Sequence, residues 1–249
     1  MYPILFSFGQ INIYNHGLMM VLGSIAGGFF LYHLATREKL KTNFILDLVV
    51  YSVFGGIIGA RLAYFIVYFN QFNSWQEIFY LWNGGMISFG GMIGGLLFAW
   101  LILSLRKEKV LPWMDIGFIG LMLGWAIGRV GCFLNGDSVG LATNSFLGFY
   151  GRWPTQLYES SWSLIVVAFG YYLIGKRKAW KLPEGSVFLI AAASYALGRF
   201  LIDNLREEEF VLGLIKPGQL ASLIIFIIAL IGIIVLFKKA KMVISKEVK

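Results

Sequence analysis

Residues 217–237 read PGQLASLIIFIIALIGIIVLF, a run of 21 residues without a charge, closed by Lys216 on one side and Lys238 on the other. Coiled as a helix at about 1.5 Å per residue, such a run crosses roughly 30 Å, the hydrocarbon thickness of a bilayer. The rest of the chain agrees. Of its 249 residues, 58% are apolar and only 14% charged, against roughly 45–50% and 25% in an average soluble protein. So few charges do not keep a compact fold of this size in water. The chain is read as dissolved mostly in lipid.

Working outward from this run, six more apolar stretches are long enough to cross. The seven expected spans cover about 14–35, 44–69, 84–105, 112–134, 155–175, 184–205 and 217–237. The fold expected is therefore an all-α, polytopic integral membrane protein, a single membrane domain over residues 1–249. Residues 207–209, all glutamate, fit a solvated loop between the last two spans.

The formal charge of +8 raises nucleic acid as a partner, but the basic residues form no face with interleaved aromatics. They lie in short clusters between apolar runs. The connections after spans one, three and five and the C-terminal tail carry fifteen of the 21 Lys and Arg; the opposite side carries only Arg152, Arg206 and Lys216. The positive-inside rule then places the N-terminus outside and the C-terminus in the cytoplasm. The first dozen residues lack a positive n-region and a small-residue cleavage site, so no removable signal peptide is expected. With one cysteine, Cys132, an internal disulfide and a cysteine-rich metal site are excluded. No metal or cofactor is expected.

Three arginines remain inside spans: Arg61, Arg129 and Arg199, in spans two, four and six. All three spans run from inside to outside, and each arginine falls in the last third. A guanidinium at the bilayer centre costs roughly 2.5–3.5 kcal/mol on insertion scales, less near the interface. One could snorkel to the headgroups. Three at one level, with acids nearby, point to a shared site. Arg199, Asp203 and Arg206 are spaced to share a helix face, Glu159 begins span five, and Asp137 follows Arg129 by eight residues. Asp47 and Asp115, near the inner ends of their helices, are assigned no chemistry. Guanidinium forks at headgroup depth suit the phosphate of an anionic lipid, with the carboxylates limiting the cost of burial.

Glycines four apart form a second pattern: Gly23 and Gly27, Gly55 and Gly59, Gly90 and Gly94, Gly124 and Gly128. This small-xxx-small spacing lets helices approach closely. Gly84-Gly85 and Gly90-Gly91 are denser than packing needs and are expected to open the start of span three, so that backbone amides face a ligand.

The string Gly128-Arg129-Val130-Gly131-Cys132-Phe133-Leu134-Asn135-Gly136-Asp137-Ser138-Val139-Gly140 resembles the signature of bacterial prolipoprotein diacylglyceryl transferases, G-R-x-G-N-F-x-N-G-E-x-x-G. Further blocks are similar to that family in the same order. These are His16-Gly17-Leu18-Met19, Gly59-Ala60-Arg61-Leu62-Ala63-Tyr64, Pro154-Thr155-Gln156-Leu157-Tyr158-Glu159, Gly198-Arg199-Phe200 with Asp203 and Arg206, and Gly218-Gln219-Leu220-Ala221-Ser222. The resemblance covers nearly the whole chain. It implies transfer of the diacylglyceryl group of phosphatidylglycerol to the lipobox cysteine thiol of a preprolipoprotein, releasing glycerol phosphate, the first step of lipoprotein maturation. The place implied is the bacterial cytoplasmic membrane, with a site facing the outer leaflet.

The resemblance further implies catalytic roles for Arg129, Arg199, Asp203 and Asp137, with substrate-binding or structural roles for Arg61, Asn135, Gly140, Gln156, Tyr158, Glu159, Arg206, Gly90 and Gly91. Four positions depart from its pattern. Phe89 stands at a catalytic histidine, Cys132 at an asparagine, His16 at a tyrosine and Trp153 at a histidine, while Asp137 and Asp203 replace glutamates. Phe89 cannot accept a proton, so His16, an imidazole with an ordinary pKa near 6.5, is the candidate replacement base. A non-catalytic relative that binds an anionic lipid or a lipoprotein precursor is the alternative. A transporter would carry paired repeats and a midplane site; no repeat links the two halves.

Overall fold

The computed structural model of the chain describes residues 4–8, 11–72, 74–81, 84–208, 210 and 213–247. Among these, an N-terminal hairpin precedes seven α-helices. The elements are β1 (Ile4–Phe8), β2 (Ile11–Tyr14), α1 (Asn15–Arg37), α2 (Ile45–Val67), α3 (Ser88–Leu105), α4 (Val110–Asn135), α5 (Thr155–Lys176), α6 (Ser186–Ile202) and α7 (Pro217–Glu247). Six of the helices, all but α3, are long and apolar enough to cross a membrane; the apolar stretch of α3, Gly90–Leu105, is shorter. The chain is an all-helical, multi-pass membrane protein.

Three elements differ from the sequence reading, each for a local reason. Gly84 and Gly85 take φ of 73° and 77°, the left-handed region open to glycine, so the expected span from 84 enters its helix only at Ser88. Helix α7 runs on to Glu247, beyond the expected end at 237, because lysine ends an apolar span but favours a helix. The hairpin pairs Phe6 with Ile13, Ser7 with Asn12 and Phe8 with Ile11; the sequence reading assigned that segment no structure.

Two compact units make up the chain: residues 35–110, and residues 1–34 with 111–249. In the first, α2 packs on α3 through glycine. A Cβ on Gly59 would fall on the Gly90 carbonyl, and one on Gly94 on the Gly55 carbonyl. One end of the pair is tied by ions, Arg106 to Asp47 at 2.7 Å and Lys41 to Glu108 at 2.8 Å. Gly91 also faces α2, near the Gly56 carbonyl. Gly90 and Gly91 are thus helix-packing residues inside α3, where the sequence reading had them present backbone to a ligand.

In the second unit α1 crosses α4 on the same principle. A Cβ on Gly23 would lie 2.5 Å from the Gly124 carbonyl oxygen, and one on Gly27 2.6 Å from that of Gly120. Helices α5 and α6 meet where Trp162 Nε1 donates to the Ser194 carbonyl at 3.0 Å. At the opposite end, Asp115 of α4 is fully buried and accepts from the backbone N–H of Gly185 and Phe188, both at 2.8 Å. Its carboxylate thereby satisfies the open N–H groups at the start of α6 and pairs with Arg177 at 3.3 Å. The sequence reading placed Asp115 at its own helix start; it serves a neighbour's.

Because Gly23 and Gly124 leave no room for a side chain, Gly124→Leu is expected to force α1 and α4 apart. The cost is at least the ~1–3 kcal/mol of an overpacked core. Thermal unfolding in detergent should show a lowered midpoint for Gly124→Leu and little change for Gly117→Leu, a position with open space around it.

Candidate active site

Glu159 lies in the first turns of α5, 2% exposed. A carboxylate at such depth needs polar partners, and Glu159 has four. Oε1 accepts from Trp125 Nε1 at 3.0 Å and Tyr195 Oη at 2.8 Å, and lies 3.0 Å from Arg129 Nε; Oε2 accepts from Arg199 Nη1. Three helices, α4, α5 and α6, so converge on one carboxyl group.

From Glu159 the charges alternate. Arg199 Nη2 lies 3.1 Å from Asp203 Oδ1, Arg206 Nη1 lies 3.8 Å from that same oxygen, and Arg206 Nε lies 3.0 Å from Glu208 Oε1. The ladder Arg129, Glu159, Arg199, Asp203, Arg206, Glu208 thus has three cations and three anions. Burial and then Arg199 draw the Arg206 guanidinium below its ordinary pKa, with Glu208 acting against them. Asp203 is fully buried, and neither carboxylate oxygen has a hydrogen-bond partner among the described residues; ion pairs alone hold it. Arg129 stacks over the Trp125 ring, 4.6 Å from its centroid, and its buried Nε, though close to Glu159, has no hydrogen-bond partner among the described residues. Two guanidinium groups thus share one buried carboxylate, an arrangement chemically suited to offering N–H donors to an anion such as a phosphate.

A second cluster adjoins Arg129. Arg129 Nη1 lies 3.8 Å from Cys132 Sγ, and Cys132 Sγ lies 3.7 Å from His16 Nδ1. Ligand atoms of His16, Cys132 and Asp137 all fall within 4.8 Å of one another. Asn135 Nδ2 donates to Asp137 Oδ2 at 2.7 Å.

The loop from 136 to 154 is held over this end of the unit by several of the residues singled out from sequence. Gln156 Nε2 donates to the Asp137 carbonyl, Tyr158 Oη to that of Leu147 at 2.9 Å, and Arg206 Nη2 to Ser138 Oγ at 2.6 Å. Gly140 pairs with Arg206 as an antiparallel bridge, and a Cβ there would fall on the Trp153 carbonyl. Trp153, in turn, donates its N–H to the Leu141 carbonyl at 3.0 Å. Gly140 is needed for close backbone approach, and Gln156 and Tyr158 for anchoring the loop.

Arg61 belongs to the unit of residues 35–110. It is 4% exposed, and its five N–H groups meet five backbone carbonyls: those of Glu77, Ile78, Tyr80, Gly84 and Gly85. The sequence reading grouped Arg61 with Arg129 and Arg199; its guanidinium instead organises the α2–α3 connection. The Phe89 side chain and Glu209 lie outside the described residues.

Sequence reasoning missed Trp125, Tyr195 and Lys216. The first two carried a usable signal, since each lies four residues before its arginine, Arg129 or Arg199, and so on the same helix face. Lys216, which read as a loop charge, is 4% exposed and donates to the carbonyls of Asp203 (2.9 Å), Asn204 (3.0 Å) and Arg206 (2.6 Å). It fixes the turn that carries Asp203 and Arg206.

Removing the charge from Glu159 leaves two guanidinium groups facing each other without an anion between them. Glu159→Gln should therefore cost about 3–5 kcal/mol, read by denaturation in detergent. Glu207→Gln, which breaks the exposed pair with Arg152, should cost less than about 1 kcal/mol.

The family model "prolipoprotein diacylglyceryl transferase" matches residues 3–235. Proteins named phosphatidylglycerol–prolipoprotein diacylglyceryl transferase are similar along their length. One from Gloeobacter violaceus is 32% identical, covering 93% of this chain and 91% of its own. One from Clostridium botulinum is 33% identical, covering 97% and 99%. One from Nostoc is 30% identical, covering 96% and 90%.

Proposed function

The chain belongs to the prolipoprotein diacylglyceryl transferase family, and we propose that it catalyses the reaction its relatives are named for. It is a transferase that moves the diacylglyceryl group of phosphatidylglycerol onto a prolipoprotein. The observation that carries this reading is the pair Arg129 and Arg199 on one buried carboxylate, Glu159.

The thiol of the lipobox cysteine attacks the glyceryl carbon, the carbon–oxygen bond breaks towards the phosphate, and glycerol phosphate leaves. Arg129 and Arg199 meet the charge that grows on the departing phosphate. Preplaced cations in a water-poor site do this without reorganising. Glu159 and Asp203 hold the guanidinium groups in register, and Arg206 extends the cationic wall. Asn135, Gln156, Tyr158 and Gly140 keep the overlying loop in place, so that lipid and precursor enter a shaped site. The thiol is ionised at the cluster of His16, Cys132 and Asp137 beside Arg129, which supplies what Phe89 cannot. A thiolate, unlike a thiol, is the effective nucleophile.

The placement in the membrane follows the charge asymmetry. Seven crossings, counting the shorter α3, put the N-terminus outside and the Lys-rich tail in the cytoplasm of a bacterial cell. The ladder then lies towards the outer leaflet, where an exported precursor presents its cysteine.

The test is attachment of labelled diacylglycerol to a lipobox peptide by the purified chain in phosphatidylglycerol micelles. Arg129→Ala should abolish it. Arg129→Lys should lower kcat/KM by about 10²-fold or more, since a point ammonium reproduces neither the fork nor its stacking on Trp125. Near-normal turnover in Arg129→Lys would remove Arg129 from headgroup binding.

A further inference from the structure

Cys132 is the chain's one cysteine, and it is not alone in space. His16 at the start of α1, Cys132 near the end of α4 and Asp137 just beyond it bring an imidazole nitrogen, a sulfur and a carboxylate oxygen within 4.8 Å of one another. The approach is built into the backbone. A Cβ on Gly131 would lie 2.7 Å from Met19 Cβ and 3.3 Å from His16 Cα, so α1 and α4 touch at the turn that carries the ligands.

We propose that His16, Cys132 and Asp137 bind a thiophilic divalent cation of the zinc class, with one coordination position left for an incoming thiol. The proposal rests on the transferase reading for the identity of that thiol, but not for the site itself.

Distance and chemistry support it. Bond lengths of about 2.3 Å to sulfur and 2.0–2.1 Å to imidazole nitrogen set a tetrahedral S···N edge of roughly 3.5 Å. Cys132 Sγ and His16 Nδ1 stand 3.7 Å apart. One sulfur and one nitrogen ligand disfavour calcium and magnesium, which take oxygen, and suit zinc. Charge balances as well: a thiolate and a carboxylate neutralise the ion, while the neighbouring Arg129 is already met by Glu159. Outer partners are in place, with Asn135 donating to Asp137 Oδ2 at 2.7 Å and Arg129 Nη1 facing the sulfur at 3.8 Å. Such partners orient ligands and tune the metal.

Three protein ligands mark an open site of the catalytic kind. A thiol entering the fourth position loses its proton to water, because metal coordination ionises a thiol outright. The bound sulfur then gives its electron pair to the glyceryl carbon, and the carbon–oxygen pair departs with the phosphate. The thioether formed is a poor ligand and leaves. The ion thus performs the ionisation assigned above to this cluster.

The experiment uses the full chain in detergent, stripped with a chelator and titrated with Co2+. Expected is one Co2+ per chain with a sulfur-to-cobalt charge-transfer band, displaced by Zn2+, absent in Cys132→Ser and altered when a lipobox peptide thiol is added. Asn135→Ala, which leaves every ligand intact, should weaken binding by roughly 10–100-fold. A band that persists in Cys132→Ser, or no stoichiometric uptake by the native chain, overturns the site. A band indifferent to the peptide thiol overturns the open position. The lipidation assay reads separately: a chain that lipidates peptide but takes up no Co2+ loses the metal alone, and one that binds Co2+ but lipidates nothing keeps the site and loses the transferase reading.

Discussion

A buried carboxylate shared by two guanidinium groups sets the terms for the rest of the molecule. Lipid offers no solvent to any charge left unpaired, so Arg129 and Arg199 persist at 11–12% exposure only because Glu159 stands between them. Glu159 in turn requires Trp125 and Tyr195 to complete its hydrogen bonds. Once that core is fixed, α4, α5 and α6 have no freedom to rotate. An ion pair in such a place adds little stability over a well-packed apolar core. What it provides is two cations held at a defined spacing.

The ladder continues outward by the same logic. Arg199 needs Asp203, Asp203 needs Arg206, and Arg206 ends on Glu208. Lys216 ties the backbone of the turn from Asp203 to Arg206, and the Gly140–Arg206 bridge clamps the overlying loop to it. The loop is thereby part of the electrostatic core rather than a cover laid on it. This is why Gln156 and Tyr158, for which the resemblance implied binding or structural roles, donate to backbone carbonyls of the loop, and why position 140 has no room for a side chain.

Much of this was legible in the sequence because lipid imposes coarse rules. Apolar run length located six helices to within a few residues, apart from the far end of α7. Counting charges left three arginines with no aqueous home, and two of them, Arg129 and Arg199, do meet. The spacing of Arg199, Asp203 and Arg206 foretold their contact but not its form: α6 ends at Ile202, and Arg206 reaches Asp203 from extended backbone beyond a short turn rather than from a shared helix face. The third arginine was not readable, because carbonyl acceptors leave no trace in side-chain identity; nothing about residues 77–85 announces that their backbone will satisfy Arg61. For the same reason Lys216 passed as a loop charge. The hairpin over residues 4–14 escaped because its strands are four and five residues long and follow no span rule.

The three-residue cluster beside Arg129 illustrates a different limit. His16 and Cys132 are separated by 116 residues in the chain, so no ligand spacing could reveal them, and a single cysteine argued only against sites built from several. In space, three positions at which this chain departs from the family pattern it resembles, 16, 132 and 137, occupy one place. Taken one at a time, an imidazole, a thiol and a shortened carboxylate look like unrelated tolerances. Taken together they exchange neutral or longer groups for a nitrogen, a sulfur and an oxygen aimed at a common point, beside the guanidinium that would meet the leaving phosphate. The chemistry that Phe89 forgoes is the ionisation of a thiol, and ionising a thiol is what such a donor set does when it holds a cation.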